Sequence, residues 1–346
     1  GACVCSPATP SAYLTGLENG IQNPRAGFAQ EASLNQIWHC QQVPIKIQLG
    51  DKTLIAPRLW LQVREAGLDD EAPPVAEPIA PPDPLHEGSQ GFLLRSLRIT
   101  GPQPVLRRQG AYLCYVPAQY PRYYIDMQQS FAEYKSKFSS KTRSTISRKI
   151  RKYTEHCGGS ISWRAYRSPG EMAEFFRLAR TVSRATYQER LLDAGLPDSA
   201  EFCEQMERLA QQECVRAFLL FHQDRPVSYL YCPISNGIVL YAYLGYHPDY
   251  MNFSVGTILQ WLALEYLFDE KIFRLFDFTE GQSEHKKLFA TDSVQCANVF
   301  FVRANMRNMC LLQAQRAVDH FSKFAGDKLE QLGIKASLKR LIRSGG

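Results

Sequence analysis

The sequence predicts an α/β (α+β) chain: a mixed sheet with flanking helices, preceded by a smaller strand-rich domain. Three observations carry this expectation. Three apolar, strand-like runs, VRAFLLF, VSYLYCPI and IVLYAYLGY, follow one another across the turn signals Asp224-Arg225-Pro226 and Ser235-Asn236-Gly237, which predicts an antiparallel meander. A helical pattern from about Gly256 to Phe268 then returns as IFRLFDF, a strand with large apolar residues on both faces, so a parallel crossover into a central strand is expected. The first 110 or so residues hold several further strand-like runs and no strong helical period.

The N-terminal runs IWHCQQVPIKIQLG and KTLIAPRLWLQVREAG surround a Gly50-Asp51 turn signal, and FLLRSLRI and AYLCYVPA suggest more strands. Between them GLDDEAPPVAEPIAPPDPLHEGSQG (residues 67–91) carries six prolines and six acidic residues, the composition of an extended linker or long loop. The expected division is therefore 1–129 and 130–346.

From Ser130 the pattern becomes regular. Ser139 or Ser140 can cap a helix with Ile146, Ile150 and Tyr153 as its apolar seam, and SISWRAY reads as a short strand. Ser168-Pro169-Gly170-Glu171 is a capping box that opens a helix with Met172, Phe175, Phe176, Ala179 and Val182 inward; Asp198 to Glu201 repeats the spacing before Phe202, Met206 and Leu209. After the crossover strand come a short helix around His285 to Ala290, the strand CANVFFVR, and a C-terminal helical region with Val318, Phe321, Ala325, Leu329 and Leu332 on one face. The final LEQLGIKASLKRLIR has the character of a docking or membrane-surface helix.

Composition bounds the function. At 346 residues the chain accommodates two domains, and its 45% hydrophobic and 21% charged content is that of a globular protein. No apolar run reaches the ~20 residues of a membrane span, and no leader is evident after Gly1, so a cytoplasmic, at most membrane-peripheral, location is expected. The ten cysteines are scattered and are expected to be reduced, mostly buried thiols; the Cys3 and Cys5 pair lacks the further ligands of a zinc site, and no metal is expected. A net charge of +6 suits an anionic ligand and falls short of a dedicated nucleic-acid binder. That charge is concentrated: Lys135 to Lys152 holds eight basic residues and no acid.

Three segments carry the chemistry: TYQERLLDAGL (186–196), YLGYHPDY with SVGTILQW (243–261), and DFTEGQSEHKKLFA (277–290). In the last, Asp277 ends an apolar strand and is followed by Glu280, Glu284, His285 and Lys286, a polar cluster able to move a proton or bind an anion. His285 titrates nearest neutrality, Glu280 can be tuned upward by burial, and Lys286 suits an oxyanion, carboxylate or phosphate. Tyr241 and Tyr243 share a strand face by alternation, and Tyr246 points the other way.

The succession of helix, strand, two helices, three antiparallel strands, loop, helix, strand, helix and strand over roughly 130–303 resembles the GNAT acyltransferase fold. The three segments resemble the CelD-like GNAT proteins, relatives of the Fem-type transferases, with Asp277, Gly281, Lys286, Phe289 and Ala290 on the last motif and His285 in place of its usual tyrosine. The resemblance implies an acyl-CoA donor between two splayed strands, near Tyr243, with its phosphates on backbone N–H groups of Ser254, Val255, Gly256 and Thr257. The usual glycine-rich phosphate loop is degenerate here, since Met251, Ser254 and Gly256 occupy its positions. Asp277, Glu280, His285 and Lys286 become the candidate catalytic residues, and Arg143, Arg148, Tyr187 and Gln188 the candidate acceptor contacts. The implied reaction is direct acyl transfer, most simply of acetyl, to an amine or hydroxyl of a sugar, polysaccharide precursor or peptide-like cell-envelope acceptor. The alternatives are Fem-type aminoacyl transfer from charged tRNA and a non-catalytic protein that binds RNA or an anionic membrane.

Overall fold

The computed structural model describes residues 38–49, 52–70, 72–81, 84–186 and 195–331. Their contacts form two compact units that interleave along the chain, one within 35–66, 72–119 and 297–346, the other within 67–71 and 120–296. The C-terminal strand and helix thus group with the N-terminal strands, although the sequence expectation put them in the second domain.

The N-terminal strands are β1 (His39–Pro44), β2 (Ile47–Leu49), β3 (Lys52–Ile55), β4 (Arg58–Glu65), β5 (Gly91–Arg98), β6 (Leu106–Gln109) and β7 (Tyr112–Asp126). β1 pairs with β4 antiparallel, β4 with β5 in parallel, and β6 with β7 antiparallel, so this unit has a mixed sheet. Alternation divides its core: Leu93, Leu113, Tyr115, Phe300 and Val302 face one side, and Phe92, Cys114, Val116, Val299 and Phe301 the other. The Pro-rich segment is a long loop tied to this unit, where Gln103 Nε2 donates to Ala76 O (2.9 Å) and Ala80 N to Gln109 Oε1 (3.0 Å). The expected Gly50-Asp51 turn and the Cys3 and Cys5 pair lie outside the described residues.

The second unit contains α1 (Phe131–Ser136), α2 (Ser140–His156), β8 (Ser162–Tyr166), α3 (Pro169–Ala185), α4 (Ala200–Gln211), β9 (Val215–His222), β10 (Arg225–Ser235), β11 (Ile238–Leu240), β12 (Tyr243–Tyr246), α5 (Val255–Glu270), β13 (Leu275–Asp277) and α6 (Glu284–Phe289). The chain continues as β14 (Asp292–Arg303) and α7 (Met306–Gln331). Side chains of α7 beyond Val318, and the expected amphipathic end, are outside the described residues.

Caps explain where these helices start. Ser139 Oγ accepts from Thr142 N at the head of α2, and Glu171 accepts from Ser168 N (3.0 Å) in the predicted box before α3. Those bonds hold the Glu171 carboxyl down, at about 2, with the Ser168 N–H as the largest cause. The second predicted box differs: Ser199 caps α4 through Phe202 N (3.2 Å), and Asp198 instead receives Arg180 (3.0 Å) and Arg184 (2.9 Å). Its carboxylate is drawn to two guanidinium charges, which outcompete a single backbone N–H.

β8, β9, β10 and β11 follow one another in this unit's sheet, then β13 and the end of β7, with β12 also beside β10. The β11 and β13 pair is parallel, as the α5 crossover requires, and β13 is central with β7 antiparallel on its other side. The β10 to β11 turn places Asn236 and Gly237 at φ +49° and +73°, the two left-handed positions of a tight hairpin. One face carries α1, α2 and α5 over Phe218, Leu220, Leu230 and Cys232; the other carries α3 and α4 over Ala217, Leu219, Tyr229 and Tyr231. No described helix is long and apolar enough to cross a membrane. All eight described cysteines are unpaired, but only Cys114, Cys232 and Cys296 are fully buried, fewer than composition suggested.

Candidate functional site

The site begins with a single extra residue. Register between β10 and β11 pairs Ile234 with Val239 and Ser235 with Ile238, whereas β12 resumes one residue out of step, with Tyr231 opposite Tyr243. Ala242 N also reaches Tyr231 O (3.3 Å), so Ala242 and Tyr243 together oppose one residue: a β-bulge. It overturns the expectation that Tyr241 and Tyr243 share a face. Tyr241 packs on Phe276 and Phe278 on the α5 side, and Tyr243 packs on Phe202 and Tyr231 on the α3 and α4 side. The physical reason is that one inserted residue reverses the alternation that follows it.

At the same point two strands part. Leu240 pairs with Asp277, and Tyr241 N donates to Asp277 O (2.9 Å); beyond this β12 pairs with β10 alone, while Phe278 N turns to Tyr123 O (3.0 Å) on β7. Gly245 permits the close course of β12, since a Cβ there would lie 2.3 Å from the Tyr229 ring. Tyr243 is 8% exposed and its phenol is pushed up to about 12, chiefly by burial, so it stays protonated near neutrality.

The chain leaves β12 through a 3₁₀ turn, Pro248–Phe253, and enters α5 at Ser254, which has left-handed backbone (φ +57°) and makes no side-chain cap. Thr257 N (2.9 Å) and Ile258 N (3.1 Å) donate to Ser254 O. Val255 and Gly256, one residue inside the helix, carry N–H groups without an intrahelical acceptor, as at any helix start. Of the candidate donor residues, Ser254 to Thr257 lie on one short segment beside β12, where a Cβ on Gly256 would meet Leu244 (3.2 Å) and Tyr246 (3.3 Å), whereas Tyr243 packs on the opposite face of the sheet.

The candidate catalytic residues divide into two groups. Asp277, expected at an open strand end, is fully buried: Arg122 Nε lies 3.2 and 3.1 Å from its two oxygens, Arg122 Nη2 lies 2.5 Å from Oδ2, and Thr279 N donates to Oδ1 (2.8 Å). The others sit on the loop and helix that follow. Lys286 Nζ donates to Glu280 O (2.6 Å), and Lys286 N to the capping Ser283 Oγ (3.1 Å). The far end of α6 is held by Tyr134 OH on Phe289 O (2.8 Å) and Lys137 Nζ on Leu288 O (3.0 Å). His285 lies between these anchors with Nε2 at 2.6 Å from Gln260 Oε1, its ring against Phe289 at 4.7 Å. Burial lowers the imidazole to about 4, and the charges of Lys149 and Lys286 add to the effect, so the ring is neutral at physiological pH.

Arg143 and Arg148 are exposed on α2, five residues apart and so on different sides of it; Arg143 Nη1 donates to Phe138 O (2.5 Å). Tyr187 and Gln188 lie outside the described residues. Sequence reasoning passed over Arg122 and Gln260. Gln260 had a readable signal, as a lone amide at an inward position of the apolar run Ile258 to Leu264, and Arg122 a weaker one, as a charge inside the aromatic strand YPRYY. Among the described residues no group of three or more His, Cys, Asp or Glu side chains could hold a metal ion.

Residues 140–287 match the family model described as an acetyltransferase (GNAT) domain. That match indicates a transferase, and the matched segment contains the bulge and the parted strands. A comparison with curated proteins gave no match. Similar solved structures include FemX, at 10% identity and TM-score 0.44 over 79% of this chain and 90% of that one. The C-terminal domain of a protein described as a lysylphosphatidylglycerol synthetase from Agrobacterium fabrum gives 8% identity and TM-score 0.42 over 67% and 71%. A GCN5-related N-acetyltransferase from Kribbella flavida gives 10% identity and TM-score 0.31 over 56% and 62%.

Proposed function

We propose that this protein transfers an acyl group, most simply acetyl, from acyl-CoA to an amine or hydroxyl of a sugar, polysaccharide precursor or peptide-like cell-envelope acceptor. The observation that carries the reading is the bulge at Ala242 and Tyr243, where β12 leaves β13 and backbone groups of both strands are released from mutual pairing. A bound donor supplies an activated acyl carbon. The chain supplies the rest: Val255 and Gly256 N–H groups for phosphate, backbone N–H at the parting for the carbonyl oxygen, and a proton acceptor for the attacking group. In this reading Arg122 and Asp277 fix the strand end, His285 is the proton acceptor, and Lys286, tied to Glu280 O, steadies the loop between them.

A second reading, aminoacyl transfer from charged tRNA, draws on α2, where Lys141, Arg143, Arg148, Arg151 and Lys152 are exposed and Glu155 is the sole acid. Calorimetric titration with acetyl-CoA, longer acyl-CoAs and charged tRNA separates the two. The first expects saturable acyl-CoA binding with a raised Tm. No heat and no Tm change with any acyl-CoA at millimolar concentration overturns it.

A further inference from the structure

α5 is apolar on nearly every side, and its one fully buried polar side chain is Gln260, 0% exposed among Ile258, Leu259, Trp261, Ala263 and Leu264. An amide in such surroundings is costly unless it is paired, so its partner is informative. That partner is His285, at 2.6 Å between Oε1 and Nε2. With the carboxamide oxygen turned to the ring, that oxygen accepts and the facing ring nitrogen carries the proton, while Gln260 Nε2 has no partner among the described residues. A neutral imidazole protonated at Nε2 has its lone pair on Nδ1. The charged groups acting on the ring are Lys149 from α2 and Lys286 from its own helix, both cationic, and among the described residues the ring's side-chain hydrogen bond goes to Gln260 and to no carboxylate.

Resting on the acyl-transfer reading above, we propose that Gln260 is a positioning residue for His285: it holds the ring as the Nε2–H tautomer and thereby presents Nδ1 as the proton acceptor of the transfer. In that step the acceptor's N–H or O–H bond breaks as its heteroatom bonds to the acyl carbon. The proton passes to Nδ1, the carbon–sulfur bond breaks, and the proton is then delivered to the departing thiolate. Atoms and charge balance without a further reactant. Neutral glutamine suits this role better than a carboxylate, because a buried negative charge beside the ring would favour the imidazolium and discourage the second transfer.

The test is nitrogen-15 NMR of the full chain labelled at histidine, with the His285 signals assigned by their loss in His285→Gln. The wild type is expected to show protonated Nε2 and unprotonated Nδ1 at neutral pH. Gln260→Leu is expected to lose that preference, and Gln260→Glu to raise the titration midpoint by about 1–3 pH units. Thermal unfolding of Gln260→Met, which keeps side-chain length, checks folding and should likewise lose the tautomer preference. In an acyl-transfer assay Gln260→Leu is expected to lower kcat about tenfold or more with donor KM nearly unchanged. An Nδ1–H tautomer in the wild type, or an unchanged tautomer and midpoint in both Gln260→Leu and Gln260→Met, overturns the proposal. The expected spectra in a protein that binds no acyl-CoA would leave the dyad standing and remove the donor assignment; acyl-CoA binding with contrary spectra does the reverse.

Discussion

Arg122 and Asp277 form an ion pair in the interior, with 1% and 0% of their side chains exposed, although they are 155 residues apart in sequence. Arg122 comes from β7 and Asp277 ends β13, so the pair joins two neighbouring antiparallel strands. A further bond from Thr279 N leaves the carboxylate enclosed by donors. Desolvation of two charges makes such a pair a poor source of net stability, yet removing one partner strands the other. Its contribution here is placement: Asp277 also supplies the carbonyl that receives Tyr241 N where the strands part.

Arg122→Met is therefore expected to cost about 3–5 kcal/mol of unfolding free energy, because the Asp277 carboxylate remains buried alone. The double change Arg122→Met with Asp277→Leu should recover most of that loss. Urea unfolding of both variants measures the difference, and equal destabilisation in the two would contradict the account.

Acid should weaken the fold through His285. Its folded-state value is about 4 against an ordinary 6.5, so below 6.5 the unfolded chain binds the proton first. Stability is fully present above 6.5, falls as pH drops toward 4, and by then has lost up to about 3 kcal/mol from this residue. His285→Gln should flatten that slope in unfolding curves measured across the same window.

Gly245→Ala places a methyl group 2.3 Å from the Tyr229 ring, which is 2% exposed and has little room to move. A loss of about 1–3 kcal/mol is expected, read as a lower Tm. Donor affinity should fall with it, because β12 must shift at the parting.

Lys141 sits in the first turn of α2, where no acid opposes the positive end of the helix dipole. Lys141→Glu should raise stability by about 0.3–1 kcal/mol at low salt, with the gain fading as salt is added. If α2 meets a polyanion, the same change lowers that affinity, a trade measurable by parallel melting and binding titrations.

Much of this architecture was legible because local chemistry and tertiary placement agree. The Ser168 box, the Asn236-Gly237 hairpin and the α5 crossover each announce themselves in a few residues, and the structure places them as read. The bulge was not legible: IVLYAYLGY alternates well enough as one strand, and only pairing to β10 shows that Ala242 is supernumerary. Asp198 was misread because Arg180 and Arg184, which claim its carboxylate, are a full helix away in sequence. Arg122 was invisible for the same reason on a larger scale, since its partner lies across the sheet in a strand far down the chain. The candidate site was read from its acids and bases; of the side chains that contact them, Gln260 stands out locally as an amide in an apolar run, whereas the pairing of Arg122 is set by packing.

The long strand β7 bears on how the molecule could be cut. A fragment starting at residue 130, where the change in sequence pattern invites a cut, retains every residue matched to the acetyltransferase (GNAT) domain model but sheds Arg122 and the strand edge that pairs with β13. It would carry a bare carboxylate in its interior and an unprotected sheet margin, and so should aggregate. A fragment that keeps residues from Tyr120 onward has its counter-charge, and autonomy of the unit is thus decided by a few residues upstream of its apparent beginning.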